Sequence, residues 1–129
     1  MISNRDIIRR TYEGSSEENG KNLLAVLSAD IEWTEAAGFP YAGTYVGVDA
    51  LMQGVFHRLA TEWDSYKAEV RTYLADGDRV AAFGIYSGTY KATGKSMTAH
   101  FAHLYQLRDG KIPRMDQYVD TAMVRDALG

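Results

Sequence analysis

A histidine, two carboxylates and three aromatic side chains are predicted to share one face of a hairpin near the end of the chain. Asp109-Gly110, between two runs of alternating polarity, is a strong signal for a two-residue turn. Counting outward from that turn places His103 opposite Asp116. Because strand side chains alternate with period two, one face carries Phe101, His103, Tyr105, Asp116, Tyr118 and Asp120. Acid–base groups among aromatic side chains are typical of a site for a small molecule.

This assignment depends on strand parity. Pro113 cannot donate to the ladder and is a candidate site for a bulge. One bulge exchanges the faces of every residue on one side of it, and His100 would then replace His103 as the facing histidine. With the simple count, Asp120 lies about four residues from His103, roughly 13 Å at 3.3 Å per residue. The two groups would therefore act on opposite ends of a ligand.

Each of these groups has a structural alternative. His103 is a candidate proton shuttle, since its unperturbed pKa is about 6.5, but it could also be a cross-strand partner of Asp116. Asp120 could be a general acid or base with a pKa raised by aromatic surroundings. It could equally cap the helix that follows it. Asp116 is expected to orient His103 rather than to react.

Composition limits the class of protein. The 129 residues suit a single domain, 1–129, and the net charge of −3 with no basic stripe gives no indication of a nucleic-acid partner. There are no cysteines, which excludes disulfides and cysteine-based zinc sites and agrees with a cytoplasmic location. No signal peptide or membrane-spanning run is apparent. The three histidines are dispersed, so no metal site is expected.

Helical periodicity dominates the first half of the chain. Helices are predicted from Ser3 to Glu13, from Glu18 to Leu27 and from Val48 to Ala60. A short strand from Ala29 to Thr34 and a glycine- and aromatic-rich loop from Ala36 to Gly47 separate the second helix from the third.

The period then changes to two. Strands are predicted at 65–75, 79–91, 97–107 and 112–120, and residues 120–128 are expected to form a closing helix. Helices followed by hairpin-linked strands indicate an α+β fold with an antiparallel sheet.

The predicted sheet has two unlike faces. One is apolar enough for a core or a subunit interface: Val70, Leu74, Phe83, Ile85, Ala102, Leu104, Met115 and Val119. The other mixes aromatic, charged and small residues, as a pocket lining does: Glu69, Arg71, Ala82, Gly84, Tyr86, His103, Tyr105, Asp116, Tyr118 and Asp120.

Several short motifs, in this order and spacing, carry a family resemblance: Ile31-Glu32-Trp33, Ala42 to Gly47, Phe101-Ala102-His103, Asp109 to Ile112 and Tyr118 to Thr121. On these residues the chain resembles the SnoaL-like branch of the NTF2-like superfamily, which is related to ketosteroid isomerase. The resemblance covers nearly the whole chain. It implies a cone in which three N-terminal helices pack on a curved antiparallel sheet and enclose a pocket. It also implies a homodimer formed through the sheet.

The resemblance assigns roles residue by residue. The isomerase's general-base aspartate corresponds to Glu35, and its tyrosine corresponds best to Tyr12. The protonated aspartate of the isomerase falls near Ala102 or His103, where no carboxylic acid stands, so the steroid isomerase reaction is in doubt. The cyclase's acid–base aspartate corresponds without a gap to Asp120.

The resulting expectation is a cofactor-independent acid–base enzyme of the isomerase, polyketide-cyclase or epoxide-hydrolase type, acting on a small apolar carbonyl or epoxide compound. The alternatives are a non-catalytic domain that binds a small ligand, or a scaffold with a collapsed pocket. The expected catalytic groups are Asp120, His103 and Glu35. The expected substrate contacts are Tyr12, Trp33, Met52, Phe56, Tyr86, Phe101, Tyr105 and Tyr118.

Overall fold

Two short helices open the fold in the computed structural model, which describes residues 2–129. Helix α1 spans Asn4–Arg9 and begins where the Ser3 side chain accepts a hydrogen bond from the Asp6 amide. Helix α2 spans Ser16–Val26 and begins at a capping box formed by Ser15 and Glu18. Both lie where helices were predicted, although α1 is shorter than expected.

The third helical segment is continuous but changes its winding. Helix α3 (Val48–Leu51) passes into a π-helical turn (Met52–Phe56) and then into α4 (His57–Glu62). The turn lies against Tyr45, and a Cβ at position 54 would stand 2.1 Å from that ring, so glycine is needed at residue 54. Such wide turns in helices are frequent at functional sites.

Six strands form one sheet in the order β2-β1-β6-β5-β4-β3. Their bounds are β1 Leu27–Glu35, β2 Gly43–Val46, β3 Trp63–Asp76, β4 Arg79–Tyr90, β5 Ser96–Arg108 and β6 Lys111–Val119. Strand β2 lies within the segment predicted to be a loop. The pairing of β1 with β6 is parallel, whereas all the others are antiparallel. Helix α5 (Thr121–Leu128) follows β6, as expected.

The hairpin turn at Asp109-Gly110 forms as predicted, with both residues at positive φ. The register beyond it differs, because the pairing shifts between Gln106 and Arg108. His103 therefore lies opposite Gln117, and the predicted pairing with Asp116 is wrong. The extra residue lies in β6, where Ile112 and Pro113 together oppose Leu107 of β5. The bulge thus falls at Pro113, as the sequence indicated. It exchanges the faces of β6 beyond that point, while His103 remains on the inner face and is not replaced by His100.

Strand β3 contains a similar irregularity. Its pairing with β4 shifts between Val70 and Thr72, which leaves Arg71 as the extra residue. Val70 then packs on the buried side of the sheet, while Glu69 and Arg71 are exposed, the reverse of the predicted faces. Gly84 allows this close approach, because a Cβ there would lie 2.0 Å from the Glu69 carbonyl oxygen. Bulges of this kind bend a strand and increase its twist.

The curved sheet buries its inner face in two clusters. One lies beneath the N-terminal helices and includes Ile8, Ile31 and Leu51. The other lies beneath α5 and includes Trp63, Phe101 and Val124. The outer face leaves large apolar side chains exposed: Leu74, Phe83 and Tyr118. Within residues 2–129, no helix has the length and apolar character needed to cross a membrane.

Candidate functional site

A cavity of about 770 Å³ lies between the helices and the inner face of the sheet. This volume is within the usual range for small-molecule sites. Exposed residues of the α1–α2 region and of β3, among them Gly20, Leu24 and Lys67, surround one end. Buried groups, among them Trp33 and Glu35, surround the other end. The cavity is therefore open at one end and closed by aromatic and titratable groups at the other.

Glu35 is the carboxyl group at the closed end. It is the last residue of β1, two positions after Trp33, so both side chains point to the inner face. Trp33 Nε1 donates to Glu35 Oε2 at 3.2 Å, and no ion pair among residues 2–129 includes Glu35. Burial raises the pKa of Glu35 to about 8, against the weaker lowering effect of Trp33. The group is therefore mostly protonated at neutral pH.

His103 lies in the same cavity and is bonded through both ring nitrogens. Its Nδ1 is within hydrogen-bond distance of the Tyr12 hydroxyl, and its Nε2 is within hydrogen-bond distance of the Tyr86 hydroxyl. Burial lowers the pKa of His103 to about 3, so the imidazole is neutral at ordinary pH. The Tyr12 hydroxyl also contacts that of Tyr105. Desolvation raises the pKa of each of these tyrosines, so all three remain protonated.

Gln117 supports this network, and sequence reasoning did not identify it. Its Nε2 donates to the Tyr86 hydroxyl at 2.9 Å, and its Oε1 accepts from the Ala36 amide at 2.9 Å. The side chain is 4% exposed. The bulge at Ile112 and Pro113 turns Gln117 inward, so a count that assumes regular pairing misses this residue. A count that includes the candidate bulge at Pro113 would have placed it on the inner face.

Aromatic and aliphatic side chains form the rest of the lining. The ring of Trp33 lies 5.5 Å from that of Phe56 and 6.1 Å from that of Tyr105. The expected contacts Tyr12, Trp33, Met52, Phe56, Tyr86 and Tyr105 all line the cavity, together with Val55, Leu59, Trp63 and Tyr66, which were not predicted. Phe101 instead stacks behind Tyr86, with ring centroids 4.2 Å apart, and does not line the cavity.

Asp120 and Tyr118 lie outside this cavity, so their predicted position in its lining is wrong. Asp120 is exposed, and its side chain accepts a hydrogen bond from the Met123 amide at the start of α5. Tyr118 is 58% exposed on the outer face of the sheet. Asp116 also points outward and pairs with Arg114 at 3.0 Å. The expected ligand between His103 and Asp120 therefore has no place in the structure.

These groups can perform acid–base chemistry on a neutral ligand. Glu35 can give or take a proton near neutral pH, while the tyrosine hydroxyls can donate hydrogen bonds to a ligand oxygen. Residues 2–129 contain no cluster of three or more His, Cys, Asp or Glu side chains that could hold a metal ion.

Comparisons with known proteins agree with this architecture. A model of the SnoaL-like domain family matches residues 8–115. An NTF2-like protein from Burkholderia thailandensis is 39% identical, with a TM-score of 0.94 over 100% of this chain and 99% of the other. TerC, co-crystallised with polyporic acid, is 26% identical, with a TM-score of 0.82 over 95% of each chain.

A putative SnoaL-like polyketide cyclase from Mesorhizobium loti has the same fold, with 24% identity and a TM-score of 0.76 over 91% of this chain and 99% of the other. Among functionally curated proteins, none matches the chain. The family match spans most of the chain and includes Tyr12, Glu35, His103 and Tyr105. The chain therefore belongs to the SnoaL-like domain family, within the NTF2-like, ketosteroid isomerase-like group of folds.

Proposed function

We propose that this protein is a cofactor-independent acid–base enzyme that acts on a small, mostly apolar compound carrying a carbonyl group or an epoxide. The observation that carries the proposal is Glu35, a buried carboxyl group at the closed end of an aromatic cavity, with no cationic partner in the described part of the chain, residues 2–129. A pKa of about 8 suits proton transfer near neutral pH, because general acids and bases are most effective when their pKa is close to the working pH.

In this mechanism Glu35 exchanges a proton with a carbon or oxygen atom of the substrate. The ionised fraction of Glu35 removes a proton next to the carbonyl group, or the protonated fraction supplies one to an opening epoxide. The hydrogen-bonded tyrosines Tyr12 and Tyr105 stabilise the negative charge that develops on the substrate oxygen. Double-bond isomerisation, aldol cyclisation and epoxide hydrolysis all use these steps.

The related structures support a small-molecule ligand in this fold. TerC was co-crystallised with polyporic acid, and the similarity to a putative polyketide cyclase extends over most of both chains. The second of these likenesses concerns the fold alone, so the reaction type rests on the residues of this cavity.

Proton exchange at carbon tests the proposal without knowledge of the natural substrate. The probe is 2-tetralone, a bicyclic ketone, and the measurement is the loss of its α-proton NMR signals in D₂O. The protein is expected to accelerate exchange over buffer, and Glu35→Gln is expected to reduce that acceleration by about 10²–10⁴-fold. Asp120→Asn is the matched control and should leave it within about twofold. Full activity in Glu35→Gln would contradict the assignment.

A non-catalytic ligand-binding domain is the second candidate. It is favoured by the hydrogen bonds of His103, whose two nitrogens are both occupied by tyrosines, so that the histidine itself has no free position for a substrate. In that case 2-tetralone should bind, as measured by calorimetry, while its α-protons exchange no faster than in buffer.

We further infer a homodimer formed through the outer face of the sheet, in the cytoplasm. The exposed apolar side chains Leu74, Phe83 and Tyr118 support such an interface, since large apolar patches usually mark contact surfaces. Sedimentation equilibrium of the wild type and of Phe83→Glu would test it. A monomeric wild type would contradict the inference.

A further inference from the structure

The hydrogen bonds around His103 form one continuous chain with a fixed starting point. The Ala36 amide can only donate, so Gln117 must present Oε1 to it and Nε2 to Tyr86. From Tyr86 the contacts continue to His103 and Tyr12. The last contact joins Tyr12 to Tyr105. The orientation of the Gln117 amide is therefore set by the backbone at the end of β1.

This fixed amide determines which way the protons point. Gln117 Nε2 cannot accept, so Tyr86 accepts from Gln117 and can donate its own hydroxyl proton to His103 Nε2. A hydrogen bond received by a hydroxyl group also strengthens the one it donates. A neutral imidazole that accepts at Nε2 carries its proton on Nδ1 and donates it to Tyr12. Tyr12 can then donate its own proton to Tyr105.

One proton remains at the end of the chain. Tyr105 accepts from Tyr12, and its own proton has no acceptor among the hydrogen bonds of residues 2–129. Tyr105 lines the cavity beside Trp33, so this proton is available to a bound molecule. An unsatisfied donor in a buried position is costly until a ligand accepts from it.

We propose that Gln117 is a positioning residue that sets the direction of this chain, so that Tyr105 presents its hydroxyl proton to an acceptor oxygen of the ligand. This direction of hydrogen-bond donation is a property of the ligand-free protein, so it holds whether or not the protein is an enzyme. The ligand chemistry, a carbonyl or enolate oxygen at the Tyr105 end, rests on the function proposed above.

Nitrogen NMR tests the direction in the ligand-free protein. Replacing the two histidines outside the cavity, His57→Gln and His100→Gln, leaves His103 as the single histidine signal. The ¹⁵N shifts and couplings of a neutral imidazole distinguish a proton on Nδ1 from one on Nε2. The proposal expects Nδ1–H at pH 7. A proton on Nε2 would overturn it, because Tyr86 rather than Tyr105 would then be the outward donor.

The role of Gln117 is tested in the same background. Gln117→Met keeps the approximate size but removes the donor to Tyr86, so the Nε2–H form is expected to become populated. A general structural role for Gln117 would not change the position of this proton. If Gln117→Met remains entirely Nδ1–H, Gln117 does not set the direction. If that variant does not fold, the signals of the protein with Gln117 intact still decide the direction.

Two matched probes test the outward donor. 2-Acetylnaphthalene has a carbonyl oxygen where 2-isopropenylnaphthalene has a methylene group, so the pair differs mainly in the ability to accept a hydrogen bond. The ketone is expected to bind the wild type about fivefold more tightly, the usual effect of one neutral hydrogen bond. Tyr105→Phe should abolish this preference. The control is Tyr73→Phe. Tyr73 also packs on Tyr12 but is not part of the hydrogen-bond chain, so this variant should retain the preference for the ketone.

The outcomes separate the two proposals. A ketone preference that survives in Tyr105→Phe overturns Tyr105 as the donor while leaving the proposed enzyme intact. Failure of both probes to bind contradicts the proposed ligand class. In that case the ¹⁵N shifts of His103 still decide the direction of the hydrogen-bond chain.

Discussion

Glu35 and Asp120 are both carboxyl groups at the end of a strand, and the sequence analysis names both as candidate catalytic groups. Their surroundings differ completely. Glu35 is 4% exposed in the aromatic cavity and, among residues 2–129, accepts a side-chain hydrogen bond from Trp33 alone, whereas Asp120 is exposed and caps α5. Burial raises the pKa of Glu35 to about 8. The difference shows that the face on which a strand ends determines whether its carboxyl group can take part in chemistry.

Neighbouring residues of β6 show the same contrast between buried and exposed side chains. Met115 and Gln117 point inward, while Asp116 and Tyr118 point outward. A single extra residue in β6, at Ile112 and Pro113, is responsible, since it exchanges the faces of the rest of that strand. Asp116 and Tyr118, which were expected to face the cavity, therefore lie outside it, and Gln117 faces inward instead.

The largest expected effect concerns the pH dependence of stability at Glu35. Its folded pKa of about 8 lies above the ordinary glutamate value of 4.5, so the unfolded chain releases this proton first as the pH rises. Stability should therefore fall from pH 5 to pH 8. Relative to the wild type, Glu35→Gln should gain about 4 kcal/mol between these pH values, at about 1.4 kcal/mol per pH unit.

Urea unfolding at pH 5 and pH 8 measures this gain, with Asp120→Asn as the control that should show none. If wild type and Glu35→Gln have parallel pH profiles, Glu35 is ionised and solvated in the folded protein, and the contrast with Asp120 disappears.

The two faces of β6 should differ next in their packing energy. Met115 is fully buried, and Met115→Ala should lower the free energy of unfolding by about 3 kcal/mol through lost contacts and a residual cavity. Tyr118→Ala, on the outward face, should change it by no more than about 0.5 kcal/mol in the monomer. Denaturant unfolding at low protein concentration provides the comparison. A large loss in Tyr118→Ala that grows with protein concentration would indicate that a second copy covers this face.

The contribution of His103 to the pH dependence of stability should be smaller than that of Glu35 and opposite in sign. Its folded pKa of about 3 lies below the ordinary histidine value of 6.5, so the unfolded chain takes up a proton first as the pH falls. Between pH 7 and pH 5 the wild type should therefore lose about 2 kcal/mol from this group. His103→Asn should remove that loss.

The matched control is His100→Asn, because His100 is exposed on the opposite side of the same strand. Between about pH 4.5 and 6.5 the contributions of Glu35 and His103 should nearly cancel, which gives a flat stability maximum. If His103→Asn lost as much stability between pH 7 and pH 5 as the wild type does, water would have to reach the imidazole in the folded state.

The accuracy of sequence-based prediction varied with the regularity of the hairpins. The inward orientation of His103, Tyr105 and Tyr86 was predicted correctly, because β4 and β5 pair without a bulge. A two-residue turn at Thr93-Gly94 predicts that Gly84 pairs with His103. The turn in the structure is longer, and Gly84 pairs with Phe101, a shift of two residues that leaves its face unchanged. A shift of the strand register by an even number of residues leaves every side chain on the same face of the sheet.

The bulge in β6 falls at Pro113, where the sequence indicated it, because proline cannot donate to the ladder. The bulge at Arg71 was not predicted, since it depends on the close approach of β3 to Gly84. The family resemblance identified Glu35 as a candidate base. Its burial follows from Trp33 and the helices that close the cavity, which no local pattern encodes.

The smallest expected effect tests Asp120 directly. As a helix cap it should tolerate Asp120→Asn within a few tenths of a kcal/mol, because asparagine caps equally well, while Asp120→Ala should cost about 1 kcal/mol. Neither variant should change proton exchange in a bound ketone. Thermal or urea unfolding of the pair, together with the exchange assay, separates the two roles. If Asp120→Asn abolished exchange at unchanged stability, chemistry would have to occur on the outer face, where Asp120 lies beside His100 and Tyr118.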